Sequence, residues 1–103
     1  MSAKELTSKE RAYLRSLANT IEPIFQFGKG SVTQNYIKQI EDALEARELI
    51  KISILENADV TAKELAGELC EKAHCQSVQI IGRKIVLYRE ARDKDRRKIK
   101  LPR

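Results

Sequence analysis

The sequence Ile24-Phe25-Gln26-Phe27-Gly28-Lys29-Gly30-Ser31 predicts a short strand followed by a glycine-rich loop. Residues 24–27 are mostly apolar and are bounded by Pro23 and Gly28, which is typical of a strand. After the loop, apolar residues recur at intervals of three and four, which predicts a helix over residues 33–47. In residues 49–55, isoleucines alternate with polar residues, which indicates a second strand with one buried face. This strand–helix–strand unit is the centre of the predicted fold.

The flanks of this unit carry further helix and strand signals. Capping boxes that begin at Thr7 and at Thr61 predict one helix before the unit and one after it. Two β-rich runs, residues 77–81 and 84–89, are joined by a two-residue turn starting at Gly82, which predicts a type II′ hairpin. Because strand–helix–strand crossovers are almost always right-handed, the second and third helices are expected on one side of the sheet. The element order α-β-α-β-α-β-β therefore predicts a two-layer α+β domain with a mixed four-stranded sheet.

Composition limits the chain to one domain and favours a polyanionic partner. The 103 residues are 42% hydrophobic, enough for one modest core, and carry a net charge of +5 with a pI near 9.4. Seven basic and only three acidic residues lie in residues 90–103. We therefore expect a folded domain over residues 1–90 and a basic C-terminal tail over residues 91–103, mobile in the absence of a partner.

Several functional classes are disfavoured by what the sequence contains. Cys70, His74 and Cys75 are too few for a disulfide framework or a structural zinc site, so neither a metal nor a cofactor is expected. No nucleophile, base and orienting group stand out together, so the chain is not expected to be an enzyme or to take a small-molecule substrate. The polar N-terminus and the short apolar runs predict a cytoplasmic protein without a membrane segment.

The loop between the first strand and the second helix has the chemistry of a phosphate site. Its two glycines allow backbone N–H groups to approach a ligand, and the helix dipole and Lys29 add positive charge. A P-loop is excluded because Gly30 follows Lys29, and a dinucleotide fingerprint is excluded because Thr33 occupies the position of its third glycine. An ordinary tight turn explains the glycines equally well.

Basic residues elsewhere extend this candidate surface, from the polar face of the second strand through the hairpin to the tail. Taken alone, the tail charges are more typical of a solubilising segment, and it is the neighbouring loop that favours a binding role. The candidate RNA-binding residues are Gly28, Lys29, Gly30, Ser31, Thr33, Lys51, Arg83, Lys84, Arg89, Arg92, Arg96, Arg97, Lys98 and Lys100.

Five segments in this order resemble the CRM domain (chloroplast RNA splicing and ribosome maturation), in its stand-alone bacterial YhbY-like form. They are residues 6–11 (LTSKER), 28–33 (GKGSVT), 48–52 (ELIKI), 78–89 (VQIIGRKIVLYR) and 100–103 (KLPR). The resemblance implies a fold like the C-terminal domain of translation initiation factor 3, RNA binding, and association with precursors of the large ribosomal subunit. The family's GxxG loop maps onto residues 28–31.

In this chain Ser31 replaces the second glycine of that motif. A left-handed backbone at Ser31 would cost about 1 kcal/mol. Alternatively, the Ser31 hydroxyl could cap the second helix.

The leading hypothesis is a monomeric, non-catalytic RNA-binding protein that takes part in assembly of the large ribosomal subunit and contacts rRNA phosphates through the 28–31 loop. The alternative is a protein-interaction adaptor whose basic surface docks on an acidic ribosomal or other protein partner. Nuclease treatment discriminates between them, because only an RNA-mediated association should be lost.

Overall fold

The computed structural model describes residues 5–102, and Met1 to Lys4 and Arg103 lie outside the described residues. The elements in chain order are α1 (Ser8–Ala18), β1 (Phe25–Phe27), α2 (Gln34–Arg47), β2 (Leu49–Ile54), α3 (Ala62–Ala73), β3 (Gln76–Ile81), β4 (Lys84–Tyr88) and a 3₁₀-helix (Lys94–Arg96). The predicted α+β class and the element order are confirmed.

Threonine side chains fix where each α-helix begins. Thr7 and Thr61 each form a capping box, in which the hydroxyl accepts from the backbone N–H three residues later and the glutamate there accepts in return. Thr33 caps α2 by accepting a hydrogen bond from the N–H of Tyr36 at 3.0 Å. These bonds satisfy N–H groups that have no partner within the helix.

The four strands form one mixed sheet in the order β1-β2-β4-β3. β1 runs parallel to β2, whereas β4 is antiparallel to both β2 and β3. The β3–β4 turn has Gly82 at a φ of +55°, and Arg83 has no positive φ, as a type II′ turn requires. A bulge at Val78 shifts the register between β3 and β4.

One face of the sheet packs against α2 and α3. The inward residues of β2 and β4, among them Ile50, Ile52, Ile85 and Leu87, are fully buried in a cluster with residues from both helices. Such a cluster is the main stabilising feature of a domain of this size. The prediction that the second and third helices share one side of the sheet is confirmed.

The opposite face is partly covered as well, so the expectation of two layers is wrong. Leu14 and Ala18 of α1 pack with Leu49, Val86 and Tyr88 in a second buried cluster. The polar residues of β2 suggested a solvated face, but β4 is apolar at consecutive positions and therefore presents buried side chains on both of its faces. The domain thus has three layers where α1 lies over the sheet.

The segment after β4 folds back onto the domain, contrary to the prediction of a mobile tail. Ala91 is fully buried, and Ile99 and Leu101 pack against the second cluster. The carboxylate of Glu48, also fully buried, accepts hydrogen bonds from the backbone N–H groups of Ala91 (2.7 Å), Lys98 (2.7 Å) and Ile99 (2.8 Å). The predicted boundary at residue 90 is therefore crossed by many contacts.

Candidate nucleic-acid interface

The 28–31 loop lies at the carboxyl end of β1, and Val32 and the N-cap residue Thr33 separate it from α2. Gly30 has a φ of +114°, a conformation that residues with a side chain rarely adopt, so glycine is required there. Ser31 has neither of the roles considered for it. Thr33 caps the helix instead, and the non-glycine residues with positive φ in the described chain are Glu48 and His74.

Backbone N–H groups of this loop are available to a ligand. Among residues 5–102, no group accepts a hydrogen bond from the N–H of Lys29, Gly30 or Ser31. Lys29, Gly30 and Ser31 are all exposed to solvent. Free N–H groups beside the start of a helix form the kind of site that binds an anion.

Aromatic side chains pack between the strand and the helix that flank the loop. The ring of Tyr36, on the first turn of α2, makes edge contacts with Phe25 (centroids 6.2 Å apart) and Phe27 (5.5 Å). Its hydroxyl donates to the carbonyl of Gln26 at 3.3 Å, and burial raises the pKa of Tyr36 to about 12. Tyr36 is therefore a neutral packing residue that fixes α2 against β1.

The β3–β4 hairpin meets the loop at the same end of the sheet. The Ile54 N–H donates to the carbonyl of Arg83 at 2.7 Å, and the Arg83 guanidinium donates to the carbonyl of Leu55 at 3.2 Å. The Leu55 N–H in turn donates to the carbonyl of Phe27, next to the loop, at 2.9 Å. The structure thus brings Lys29 and the exposed Arg83 to one end of the sheet, with the exposed Lys84 directly after the turn.

Lys51 is farther from this end and only half exposed. It pairs with Val86 in the middle of the sheet, on the face that α1 covers in part.

Arg89 does not belong to an accessible surface, contrary to the prediction. Its side chain is 7% exposed and lies 3.2 Å from the carboxylate of Glu45 and 3.9 Å from that of Glu41. It also donates to the carbonyl oxygens of Ala73 and Glu41. With its charge neutralised inside the protein, Arg89 stabilises the junction of α2, α3 and β4 and cannot reach a phosphate.

The remaining predicted cations lie at the other end of the sheet. Lys84 begins β4 and Arg89 follows it, so about 17 Å of strand separates the hairpin from the start of the C-terminal segment. Arg97 is held by bonds to the carbonyl of Ala91 (2.8 Å) and to Glu90 (3.5 Å). The predicted cations of this end that are exposed to solvent are Arg92, Arg96, Arg97, Lys98 and Lys100, and Lys94 is exposed there as well.

Charge is distributed unequally between the two faces of the sheet. α2 and α3 each carry three acidic and two basic residues, whereas α1 carries three basic residues and one acidic residue. The four strands contain two charged residues, Lys51 and Lys84, and both lie on the α1 side. A polyanion is therefore attracted to the α1 side of the sheet and repelled by the side that α2 and α3 cover.

Cys70 and Cys75 lie close together at the end of α3. The Cys75 N–H donates to the carbonyl of Cys70 at 3.2 Å, and a hydrogen bond from the Cys75 thiol lowers the pKa of Cys70. His74 ends the helix in a left-handed conformation.

Within residues 5–102, no three side chains of metal-ligating type are grouped, and no helix is long and apolar enough to cross a bilayer.

Comparison with known proteins identifies the family. The CRS1/YhbY (CRM) domain matches residues 6–89, most of the chain and all four strands. The chain belongs to the CRS1/YhbY (CRM) family. This confirms the resemblance that the five sequence segments indicated.

Individual relatives cover the CRM domain and the C-terminal segment together. The chain is 50% identical over 97 residues to "Probable RNA-binding protein YqeI" of Bacillus subtilis, covering 94% of this chain and 99% of that one. It is 33% identical over 99 residues to an "RNA-binding protein" of Haemophilus influenzae, covering 95% and 96%. The solution structure of the hypothetical protein SAV1595 from Staphylococcus aureus matches with a TM-score of 0.77 at 51% identity, covering 95% of this chain and 100% of that one.

Sequence reasoning missed the two carboxylates that organise this CRM domain at the end away from the loop. Glu45 accepts from the backbone N–H groups of Arg92 (2.8 Å) and Asp93 (3.0 Å), and these bonds lower its pKa. Glu48 accepts hydrogen bonds from the backbone N–H groups of Ala91, Lys98 and Ile99 in the same segment. The signal for Glu48 was its place as the single residue between a helix and a strand, with no loop to carry its side chain into solvent.

Proposed function

We propose that this protein is a non-catalytic RNA-binding protein that binds the sugar–phosphate backbone through the 28–31 loop. The observation that carries the proposal is the group of free N–H donors at Lys29, Gly30 and Ser31, exposed in the loop that leads into α2. Such donors, together with the partial positive charge of the helix terminus, stabilise a bound phosphate.

Cations at the same end support this assignment. Lys29 extends from the loop itself, and Arg83 and Lys84 belong to the hairpin that is hydrogen-bonded to its neighbours. Neutralising phosphates with such residues releases condensed counterions, which provides affinity without reading sequence. Family membership and relatives named as RNA-binding proteins agree with this chemistry.

We further propose that the RNA is ribosomal, in precursors of the large subunit, and that the protein acts as a cytoplasmic monomer. The exposed cations of the C-terminal segment would form a second phosphate contact at the far end of the sheet. Because hydrogen bonds that its backbone N–H groups donate to Glu45 and Glu48 order this segment, its contact would lose less conformational entropy than that of a disordered tail.

The loop is tested with Lys29→Ala. The control is Lys72→Ala, which makes the same change of charge on α3, on the side of the sheet away from α1. Lys29→Ala should weaken binding to an rRNA fragment and reduce the magnitude of the salt slope, d log K/d log[salt], by roughly one unit. Lys72→Ala should leave that slope unchanged. Equal isotherms for wild type and a folded Lys29→Ala variant would refute the role of the loop.

The adaptor alternative makes the opposite prediction for ribosomal particles. If the protein co-sediments with large-subunit precursors through RNA, a brief ribonuclease digestion of exposed rRNA should release it. Retention on the digested particles would instead support docking on a ribosomal protein.

A further inference from the structure

A row of side chains crosses the sheet next to the loop. Register pairs Gln26 with Ser53, Ser53 with Lys84, and Lys84 with Ile81, so one residue from each strand contributes. We call these four residues the crossing row. It spans three strand spacings, about 14 Å.

The crossing row faces the α1 side of the sheet but is not covered by α1. Lys84 precedes Val86 by two residues and therefore points to the same face, the face of the second buried cluster. α1 packs over the other end of that face, against Leu49 and Tyr88. As a result Gln26, Lys84 and Ile81 are exposed, and Ile81 is 56% accessible to solvent.

From this arrangement we infer that the crossing row holds unpaired RNA nucleotides whose phosphates are bound by the neighbouring loop and hairpin. This inference rests on the proposed function and adds the kind of RNA that the protein selects. The amide of Gln26 and the hydroxyl of Ser53 can each donate and accept, as contacts with base edges require, and Ile81 offers an apolar contact to a base. Lys84 supplies a phosphate contact within the row.

Charge favours this occupant over a protein. No acidic residue occurs in any of the four strands, and Lys51 lies in the next row on the same face. The row is also continuous with Arg83 and, through β1, with Lys29. Within the four strands, an RNA strand that leaves the loop would therefore meet no like charge.

Unpaired nucleotides are favoured over a duplex because their base edges are free. In an RNA helix those edges are turned into the grooves and are poorly reached from a sheet surface. The crossing row contains no aromatic residue, so discrimination is expected between paired and unpaired RNA and to a lesser degree between bases.

Adjacent isoleucines of β3 provide a matched test. Ile80 pairs with Ile85 of the first cluster and therefore faces the α2 and α3 side, where it is 41% exposed. Ile81→Asp and Ile80→Asp change the net charge and the strand propensity equally, but only Ile81→Asp alters the crossing row. Each variant is titrated with a single-stranded oligouridine and with a blunt RNA duplex, and its thermal unfolding is measured.

Ile81→Asp should weaken oligouridine binding by about tenfold relative to Ile80→Asp, because it removes an apolar contact and adds repulsion from phosphates. Duplex binding should change equally in the two variants. If Ile81→Asp does not fold, Gln26→Glu with Gln39→Glu on α2 as control makes the same comparison. Both glutamines are exposed.

Failure of the inference and failure of the proposed function are distinguishable. Equal oligouridine affinities for Ile81→Asp and Ile80→Asp would overturn the crossing row as a site, while a weakening by Lys29→Ala would leave the loop in place. If wild type binds the rRNA fragment but not the oligouridine, the crossing row is overturned and the proposed function stands. If it binds none of these RNAs, both are overturned.

Discussion

Replacement of Glu48 by glutamine tests whether one buried carboxylate holds the C-terminal segment to the domain. Its two oxygens accept three backbone hydrogen bonds, Oε2 from Ala91 and Oε1 from Lys98 and Ile99. Glutamine has nearly the same shape but only one acceptor oxygen. If that oxygen keeps the bonds from Lys98 and Ile99, the amide nitrogen must face the N–H of Ala91.

The expected loss of stability follows from these bonds. The N–H of fully buried Ala91 would have no acceptor, at a cost of about 1–3 kcal/mol. The two retained bonds would change from charged to neutral, losing about 0.5–1 kcal/mol each. Glu48→Gln should therefore lower the free energy of unfolding by about 3 kcal/mol, a large fraction of the roughly 5–15 kcal/mol typical of a domain.

Urea unfolding gives the free energy, and limited trypsin digestion reports on the segment, whose basic residues are cleavage sites. Glu48→Gln should speed cleavage between residues 92 and 100. The control is Glu90→Gln, since Glu90 also contacts the segment, through Arg97 at 3.5 Å, but its side chain is 60% exposed. The control should cost less than about 1 kcal/mol. Equal unfolding midpoints and equal cleavage rates for the two variants would refute the assignment.

Two further predictions concern acid stability and the loop glycine. The folded-state pKa of Glu45 is lowered by bonds from Arg92 and Asp93, so its contribution is present in full above the ordinary carboxyl pKa of 4.5 and is lost as pH falls through the lowered value. Urea midpoints of Glu45→Gln and wild type should therefore differ at neutral pH and converge in acid, and a constant difference would contradict the pKa direction. Gly30→Ala should cost about 1 kcal/mol or more because of its φ of +114°, whereas Gly67→Ala, inside α3 with free space for a Cβ, should stabilise by up to about 1 kcal/mol. The thermal unfolding midpoints of the two variants test this comparison. A stabilising Gly30→Ala would show that the loop does not need glycine.

Local signals were enough to predict the elements of this fold. The capping boxes at Thr7 and Thr61 are complete within four residues, and the alternation in β2 depends only on neighbouring positions. The 28–31 loop was likewise located correctly between β1 and α2. Such features are predictable because their physical causes act over a few residues of chain.

The wrong predictions concern residues whose contacts are made with partners distant in sequence. Arg89 follows a basic hairpin, and only the fold shows that Glu41 and Glu45 surround it. Similarly, no packing surface was predicted for α1, which the structure places against Leu49, Val86 and Tyr88. The proximity of the hairpin to the 28–31 loop also depends on β4 lying between β2 and β3, a pairing that the order of elements does not specify.

The bulge at Val78 has a consequence for contacts between molecules. β3 is an outer strand, and its unpaired carbonyl and N–H groups are a template on which a strand from another copy could add. The extra residue increases the local twist and bends the strand. In addition, the guanidinium of Arg11 donates to the carbonyl of Ser77 beside the bulge and occupies one acceptor. A strand of a second molecule would therefore meet irregularly spaced donors and acceptors, which disfavours edge-to-edge pairing at β3.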